Sequence, residues 1–168
     1  MPAYPTLKNR SVTLAVTGGI AAYKSCELVR LLKKAGADVR VIMTEAAAHF
    51  VTPLTFEALC GHAVGIENLT RDMPHLAATH GACDLMIVAP ATADILGKAA
   101  HGIADNLVST AIIARAAPLA VCPAMNTRMW GNPAVQRSVK VLADDGVMIW
   151  GPQAGNLACG ETGAGRMM

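Results

Sequence analysis

Charged residues are scarce in this sequence. Asp, Glu, Lys and Arg make up 15% of the 168 residues, against 53% for apolar ones, and the net charge is +2. No run of Lys or Arg supplies the basic stripe that follows a nucleic-acid backbone, so we expect no nucleic-acid partner. Because so apolar a chain has little polar surface to present to water, we expect it to bury apolar surface in a homo-oligomer.

Long apolar runs and a targeting signal are also lacking. No run approaches the roughly 20 residues that a membrane-spanning helix needs. Residues 1–5 do not have the charged and then apolar order of a signal peptide. We therefore expect a cytoplasmic protein with no membrane partner.

The five cysteines contain no pair with the Cys-x-x-Cys spacing of zinc sites or dithiol redox centres. Cys83 and Cys122 lie in or beside apolar segments, where a cysteine serves as a small core residue. Cys159 differs, because its neighbours are polar and rich in glycine. The sequence thus predicts no metal site and leaves Cys159 as the thiol with a candidate chemical role.

Two common nucleotide-binding motifs are absent as well. Gly18-Gly19 does not extend into G-x-G-x-x-G, and no acidic residue closes the second predicted strand before Thr44 to bind a ribose. The chain has no P-loop. These absences disfavour nicotinamide dinucleotides and nucleoside triphosphates, and they leave a smaller phosphorylated cofactor such as FMN.

Short apolar segments alternate with helical stretches, which is typical of a parallel α/β sheet. Segment 84–89 (DLMIVA) is continuously apolar after Asp84, as expected of a central strand buried on both faces, and Pro90 is expected to end it. With no repeat or linker, we predict one domain: a three-layer, Rossmann-like (flavodoxin-like) sheet with helices on both faces, over residues 1–151. The predicted strands are 11–17, 38–44, 84–89, 118–122 and 146–150, and the predicted helices are 21–35, 45–50, 53–61, 92–100, 106–116 and 133–144.

The end of the chain has the composition of irregular structure. Residues 159–166 read CGETGAGR, and glycine weakens regular elements but suits places where a backbone bends or approaches a ligand closely. We predict that residues 152–168 are irregular and form a mobile flap of the same domain, which carries Cys159 over a site.

Ligands of such sheets bind outside the carboxyl ends of the strands. The segments that follow the predicted strands contain small or hydroxyl-bearing residues, and two of them lead into helix N-termini that can hold an anion. A phosphate-bearing cofactor is therefore expected at this edge. The segments are 17–20 (TGGI), 43–45 (MTE), 90–94 (PATAD) and 123–126 (PAMN).

Five strings and a histidine before the central strand carry a resemblance that spans nearly the whole chain. The strings are TGGI at 17–20, APATAD at 89–94, GIADNLVST at 102–110, PAMN-x-x-MW at 123–130 and ACGE-x-G-x-GRM at 158–167. With these motifs the sequence resembles the homo-oligomeric flavin-containing cysteine decarboxylases. The PAMN and ACGE strings are the specific ones.

The resemblance is strongest to the branch that converts 4'-phosphopantothenoylcysteine to 4'-phosphopantetheine in coenzyme A biosynthesis. It implies FMN, which oxidises the substrate to a thioaldehyde before carbon dioxide is lost and then reduces the ene-thiol, so that the reaction is redox-neutral. It also implies a homotrimer or a dodecamer with the flavin near a subunit interface. A phosphopantothenate–cysteine ligase, fused or separate, is the implied protein partner.

The resemblance also implies site residues. His75 matches the family's essential histidine, Asn126 the asparagine that binds the substrate carboxylate, and Cys159 the flap cysteine that donates a proton late in the reaction. The spacing from His75 to Asp84 is one residue longer than is common in the family, so His80 in the same loop stays an alternative. Flavin contacts are expected at Gly18, Gly19, Ile20, Thr44, Phe50, Ala91, Thr92, Ala93 and Met125.

Three other functions on this fold remain open from the sequence. A peptidyl-cysteine decarboxylase of lantibiotic maturation shares the P-x-M-N string, but the ACGE-x-G segment favours the coenzyme A branch. A flavin prenyltransferase would not need the MN-x-x-MW string or Cys159. A non-catalytic flavoprotein regulatory subunit would have long acidic extensions or a lost catalytic residue, and this chain has neither feature.

Overall fold

A five-stranded parallel sheet forms the centre of the molecule. The computed structural model describes residues 6–66, 83–158, 160 and 162–168. The strands lie in the order β2-β1-β3-β4-β5, which is the flavodoxin-like order and confirms the predicted fold class. They are β1 (Ser11–Val16), β2 (Asp38–Met43), β3 (Leu85–Ala91), β4 (Leu119–Pro123) and β5 (Met148–Ile149).

Helices cover both faces of this sheet, and each face has its own apolar core. Successive residues of a strand point to opposite faces, so Leu14 of β1 contributes to one core and Ala15 to the other. Val29 packs in the first core and Leu142 in the second. The helices are α1 (Ala22–Lys34), α2 (Glu45–Ala48), α3 (Pro53–Cys60), α4 (Ala93–His101), α5 (Leu107–Ala114), α6 (Thr127–Trp130) and α7 (Pro133–Asp144).

Polar side chains determine where several helices begin. Thr92, Asn106, Asn126 and Asn132 each accept a hydrogen bond from a backbone N–H in the first turn of the helix that follows. α4 therefore begins one residue later than predicted, because Thr92 is its cap. Thr92 directly follows β3 and Asn126 lies three residues after the end of β4, so capping also fixes these side chains at the carboxyl edge of the sheet.

The prediction that Pro90 ends the central strand was wrong, because β3 continues to Ala91. The register between β3 and β4 shifts between Val88 and Ala91, and at such an irregularity proline's missing N–H is not needed for the ladder. Pairing then resumes, since the Ala124 N–H donates to the Ala91 carbonyl oxygen at 3.0 Å.

The prediction that the chain is irregular beyond Pro152 was also wrong. The segments β6 (Gln153–Asn156) and β7 (Thr162–Arg166) form an antiparallel hairpin. The glycines of β7 serve close packing: a Cβ at Gly163 would lie 2.5 Å from Thr127 Oγ1, and one at Gly165 would collide with the Met125 carbonyl oxygen. Gly165 also has φ +134°, which L side chains rarely adopt.

Two further contacts attach the end of the chain to the domain. The Met125 N–H donates to the Gly165 carbonyl oxygen at 3.0 Å, and Lys24 Nζ donates to the Met167 carbonyl oxygen at 2.6 Å. The Met167 side chain is buried in the first core. β7 is therefore held in place, and the role of residues 152–168 as a cover stays a prediction.

Among the residues that the structure describes, no helix combines the length and apolar character that a transmembrane span requires.

The close packing of Gly165 against the backbone of Met125 can be tested by substitution. We expect Gly165→Ala to lower the free energy of unfolding by about 2–4 kcal/mol, because the new methyl group collides with backbone and the residue keeps a positive φ. Gly97→Ala is the control: nothing lies within 4 Å of a Cβ there, and the change should stabilise α4 by about 0.5–1 kcal/mol. Denaturant unfolding measures both, and equal effects would contradict this account.

Candidate active site

A cavity of about 540 Å³ opens at the carboxyl ends of β1, β3 and β4. The strand order reverses direction between β1 and β3, which is where ligands of this fold class bind. The sequence-predicted site residues that line the cavity are Gly18, Gly19, Ile20, Thr92, Ala93, Met125 and Asn126.

The first wall is the turn between β1 and α1. A Cβ at Gly18 would lie 2.5 Å from the Ala46 Cβ, so only glycine lets this turn pack against α2. At Gly19 the nearest atom to such a Cβ is Thr92 Cγ2 at 3.7 Å, which leaves the turn open on the cavity side. The N-terminus of α1 has no side-chain cap and no acidic residue in its first turn. This wall can therefore accept an anion.

A pair of threonines joins the turns that follow β1 and β3. The Thr17 hydroxyl donates to the Pro90 carbonyl oxygen at 2.6 Å, and its oxygen accepts from the Thr92 N–H at 3.3 Å. Thr17 is 1% exposed. No role was predicted for Thr17, although a hydroxyl at the end of the first strand was visible in the TGGI string.

Asn126 stands on the opposite wall, after β4. Its Oδ1 accepts from the Met129 N–H at 2.8 Å and thereby caps α6. Since the cap uses the oxygen, the amide nitrogen is left to donate to a ligand in the cavity. The uncharged donor predicted for this position is therefore present on the cavity wall.

Three of the residues predicted to contact a cofactor, Thr44, Phe50 and Ala91, are not among the residues that line the cavity. Thr44 caps α2 by accepting from the Ala47 N–H at 3.2 Å. Phe50 has a half-exposed ring, and Ala91 is fully buried in the second core. Contacts from these three residues to a cofactor stay predictions.

His75, its alternative His80, and Cys159 lie outside the described residues, so their roles stay predictions. The described residues contain no group of three or more His, Cys, Asp or Glu that could hold a metal ion.

Sequence reasoning missed two cations on the cavity wall, Lys24 on α1 and Arg166 on β7. Burial, followed by the positive charge of Arg166, lowers the pKa of Lys24 below its usual value. A lysine in the first turn after a glycine turn and an arginine in the GRM string were the available signals. The other wall residues that the sequence did not predict are Ala21, Tyr23, Ala124, Met129, Asn156, Leu157, Ala158, Gly165 and Met167.

The fold and this site define a class: α/β proteins that bind a phosphate-bearing ligand where a flavodoxin-like sheet reverses its strand order. Within that class, the Flavoprotein family model matches residues 2–168, and the chain belongs to the Flavoprotein family.

The similarity to characterised proteins extends over the whole chain. The coenzyme A biosynthesis bifunctional protein CoaBC of Bacillus subtilis (strain 168) is 49% identical over 165 residues, which are 96% of this chain and 40% of the relative. The chain thus spans about two fifths of the length of the curated relatives that it matches.

Two solved structures are similar in fold and sequence. A PPC decarboxylase mutant complexed with pantothenoylaminoethenethiol has a TM-score of 0.82 and 31% identity, over 95% of this chain and 91% of the other. The FMN-dependent cysteine decarboxylase SpaF has a TM-score of 0.81 and 30% identity, over 93% and 89% of the two chains.

Proposed function

We propose that this chain is an FMN-dependent decarboxylase that converts 4'-phosphopantothenoylcysteine to 4'-phosphopantetheine in coenzyme A biosynthesis. The observation that carries the proposal is Asn126 on the cavity wall: its oxygen caps α6, and its amide nitrogen donates to no described residue and could bind a carboxylate. The names of the similar CoaBC and PPC decarboxylase proteins support the reaction and the substrate.

The residues present fit FMN. A cavity of about 540 Å³ lies within the range of small-molecule sites, which is roughly 300–1,000 Å³. Gly18, Gly19 and Ile20 would hold the phosphate end at the uncapped N-terminus of α1. Thr92 and Met125 border the remaining space, where the ring system would lie.

The bound flavin would supply a reversible oxidation of the thiol-bearing carbon, which gives the electrons of the lost carboxylate a sink. Asn126 would orient the carboxylate through an uncharged donor. A cation in its place would hold the carboxylate in the ground state and oppose its loss. His75 would help to remove the thiol proton near neutral pH, and Cys159 would return a proton to carbon while the covering segment excludes water.

The alternative functions are not favoured. The 49% identical relative is a coenzyme A biosynthesis protein, and the similar PPC decarboxylase carries a pantothenoyl ligand. Neither observation supports peptide decarboxylation, prenyl transfer or a purely regulatory role.

We also propose the assembly in which the enzyme works. Several large apolar side chains are exposed, and Ile20 and Tyr23 on the cavity rim are 60% and 61% exposed. A neighbouring subunit of a homotrimer, or of a dodecamer built from trimers, would bury these two side chains. The flavin would then lie near a subunit interface. A phosphopantothenate–cysteine ligase, fused or separate, would supply the substrate in the cytoplasm.

The proposed reaction has a direct test. Purified protein should be yellow with FMN and should release carbon dioxide from 4'-phosphopantothenoylcysteine but not from a peptide that ends in cysteine. Colourless protein that FMN cannot reconstitute, or turnover of the peptide alone, would overturn the proposal.

In the same assay Cys159→Ser should release carbon dioxide but accumulate the ene-thiol, seen as a new absorbance. An unchanged product yield would remove Cys159 from the mechanism.

The role of Asn126 is tested by Asn126→Asp. Aspartate keeps the cap of α6 but loses the amide donor and repels the substrate carboxylate, so we expect at least a roughly 100-fold loss of kcat/KM with little change in thermal stability. Asn132→Asp, the same change at the cap of α7, should leave activity unchanged. Normal activity of Asn126→Asp would refute carboxylate binding by this residue.

The assembly is tested by sedimentation of flavin-loaded protein. We expect a trimer or a dodecamer, because a subunit by itself would expose the apolar rim of the cavity to water. Tyr23→Glu should weaken the assembly, since it would bury a charge at the contact. A stable flavin-bound monomer of the unaltered chain would contradict this model.

A further inference from the structure

The cavity wall carries two positive charges that no described acid neutralises. Lys24 and Arg166 both line the cavity, and neither takes part in an ion pair with a described residue. None of the described lining residues is acidic. The charge of Arg166 contributes to the lowered pKa of Lys24, so the two cations lie close enough to repel each other.

Local contacts place both side chains at the cavity wall. A Cβ at Gly155 would lie 3.1 Å from both Cδ and Nη1 of Arg166. The arginine side chain therefore lies against Gly155, which has no side chain of its own. Lys24 is fixed through its bond to the Met167 carbonyl oxygen at 2.6 Å. Because β7 carries Arg166 and α1 carries Lys24, the hairpin and the body of the domain meet at this pair.

Two neighbouring cations that repel each other suit a doubly charged anion. A phosphomonoester carries about −1.5 to −2 charges at pH 7 and offers three acceptor oxygens. The guanidinium can bind two of its oxygens at once, and the ammonium adds a third donor direction. Such a ligand would offset the repulsion between the two cations.

We propose that Arg166 and Lys24 form a subsite for a phosphomonoester, and that its occupant is the phosphate of the substrate. This proposal rests on the proposed function. The flavin also carries a phosphomonoester, but the uncapped N-terminus of α1 at Gly19 and Ile20 is available for it. Arg166 instead lies on β7, within residues 152–168, which are predicted to cover the substrate. Gly155 acts as a positioning residue, because it leaves space for the arginine.

Kinetics with two substrates test the subsite. Flavin-loaded Arg166→Gln should lose roughly 10- to 100-fold in kcat/KM for 4'-phosphopantothenoylcysteine and little for pantothenoylcysteine, which lacks the phosphate. Lys24→Met also removes the bond to the Met167 carbonyl oxygen, so it should lower kcat/KM for both substrates but lower it more for the phosphorylated one. Arg137→Gln, an exposed arginine on α7 outside the cavity, is the control for loss of one charge and should behave as the unaltered protein. Equal losses for both substrates would assign Arg166 a structural role and overturn the proposal.

The positioning role of Gly155 has a separate readout. Gly155→Ala adds a methyl group where the arginine lies and should reduce the preference for the phosphorylated substrate, while the rate with the unphosphorylated one stays unchanged. If Gly155→Ala keeps the full preference, the glycine does not position Arg166.

Binding measurements separate the two phosphate sources. By calorimetry on flavin-loaded protein, 4'-phosphopantetheine should bind more tightly than pantetheine, and Arg166→Gln should abolish the difference. The affinity of the apoprotein for FMN relative to riboflavin, followed by flavin fluorescence, should be unchanged in Arg166→Gln. A selective loss of FMN affinity would assign the subsite to the flavin and overturn the proposal. If the unaltered protein binds the phosphorylated ligand through Arg166 yet releases no carbon dioxide, the subsite stands and the proposed reaction falls.

Discussion

The hydrogen bond from the Met125 N–H to the Gly165 carbonyl oxygen joins the end of the chain to the wall of the cavity. Because β7 packs directly on the loop after β4, glycine is required where a side chain would meet Thr127 or the Met125 carbonyl. The same contact determines where Asn126 and Arg166 lie relative to each other. The cavity therefore depends on close backbone packing at one edge of the sheet.

The opposite wall depends on an equally tight arrangement. Thr17 links the turns after β1 and β3, and Gly18 lets the first of them pack against α2. Both walls thus use small or hydroxyl-bearing residues to bring backbone close to a ligand, and none of the lining residues that the structure describes is acidic. A cavity with a net positive wall and uncharged donors suits ligands that bring phosphates and a carboxylate, as the proposed flavin and substrate do.

The family resemblance and the geometry support different parts of the functional argument. The motifs imply which reaction to consider, and the 49% identical relative supports it. The structure adds that Asn126 caps α6 with its oxygen, which explains why an amide can serve at this position in two ways at once. It also shows that Thr44, Phe50 and Ala91 are not among the residues that line the cavity, and their contacts with a cofactor stay predictions.

The sequence by itself determined the five-stranded sheet, the described helices other than the short α6 (Thr127–Trp130), and most of the strand-end residues, because apolar periodicity and capping residues act locally. It also indicated Asn126, Thr92 and the glycine turn through short motifs. Only the tertiary structure decided that the glycines after Pro152 form a strand, since their need for close packing comes from residues that lie far away in the chain. For the same reason the proximity of Lys24 and Arg166 could not be read from the sequence: the two cations are 142 positions apart and reach the same cavity only when the end of the chain bonds to Lys24 through Met167.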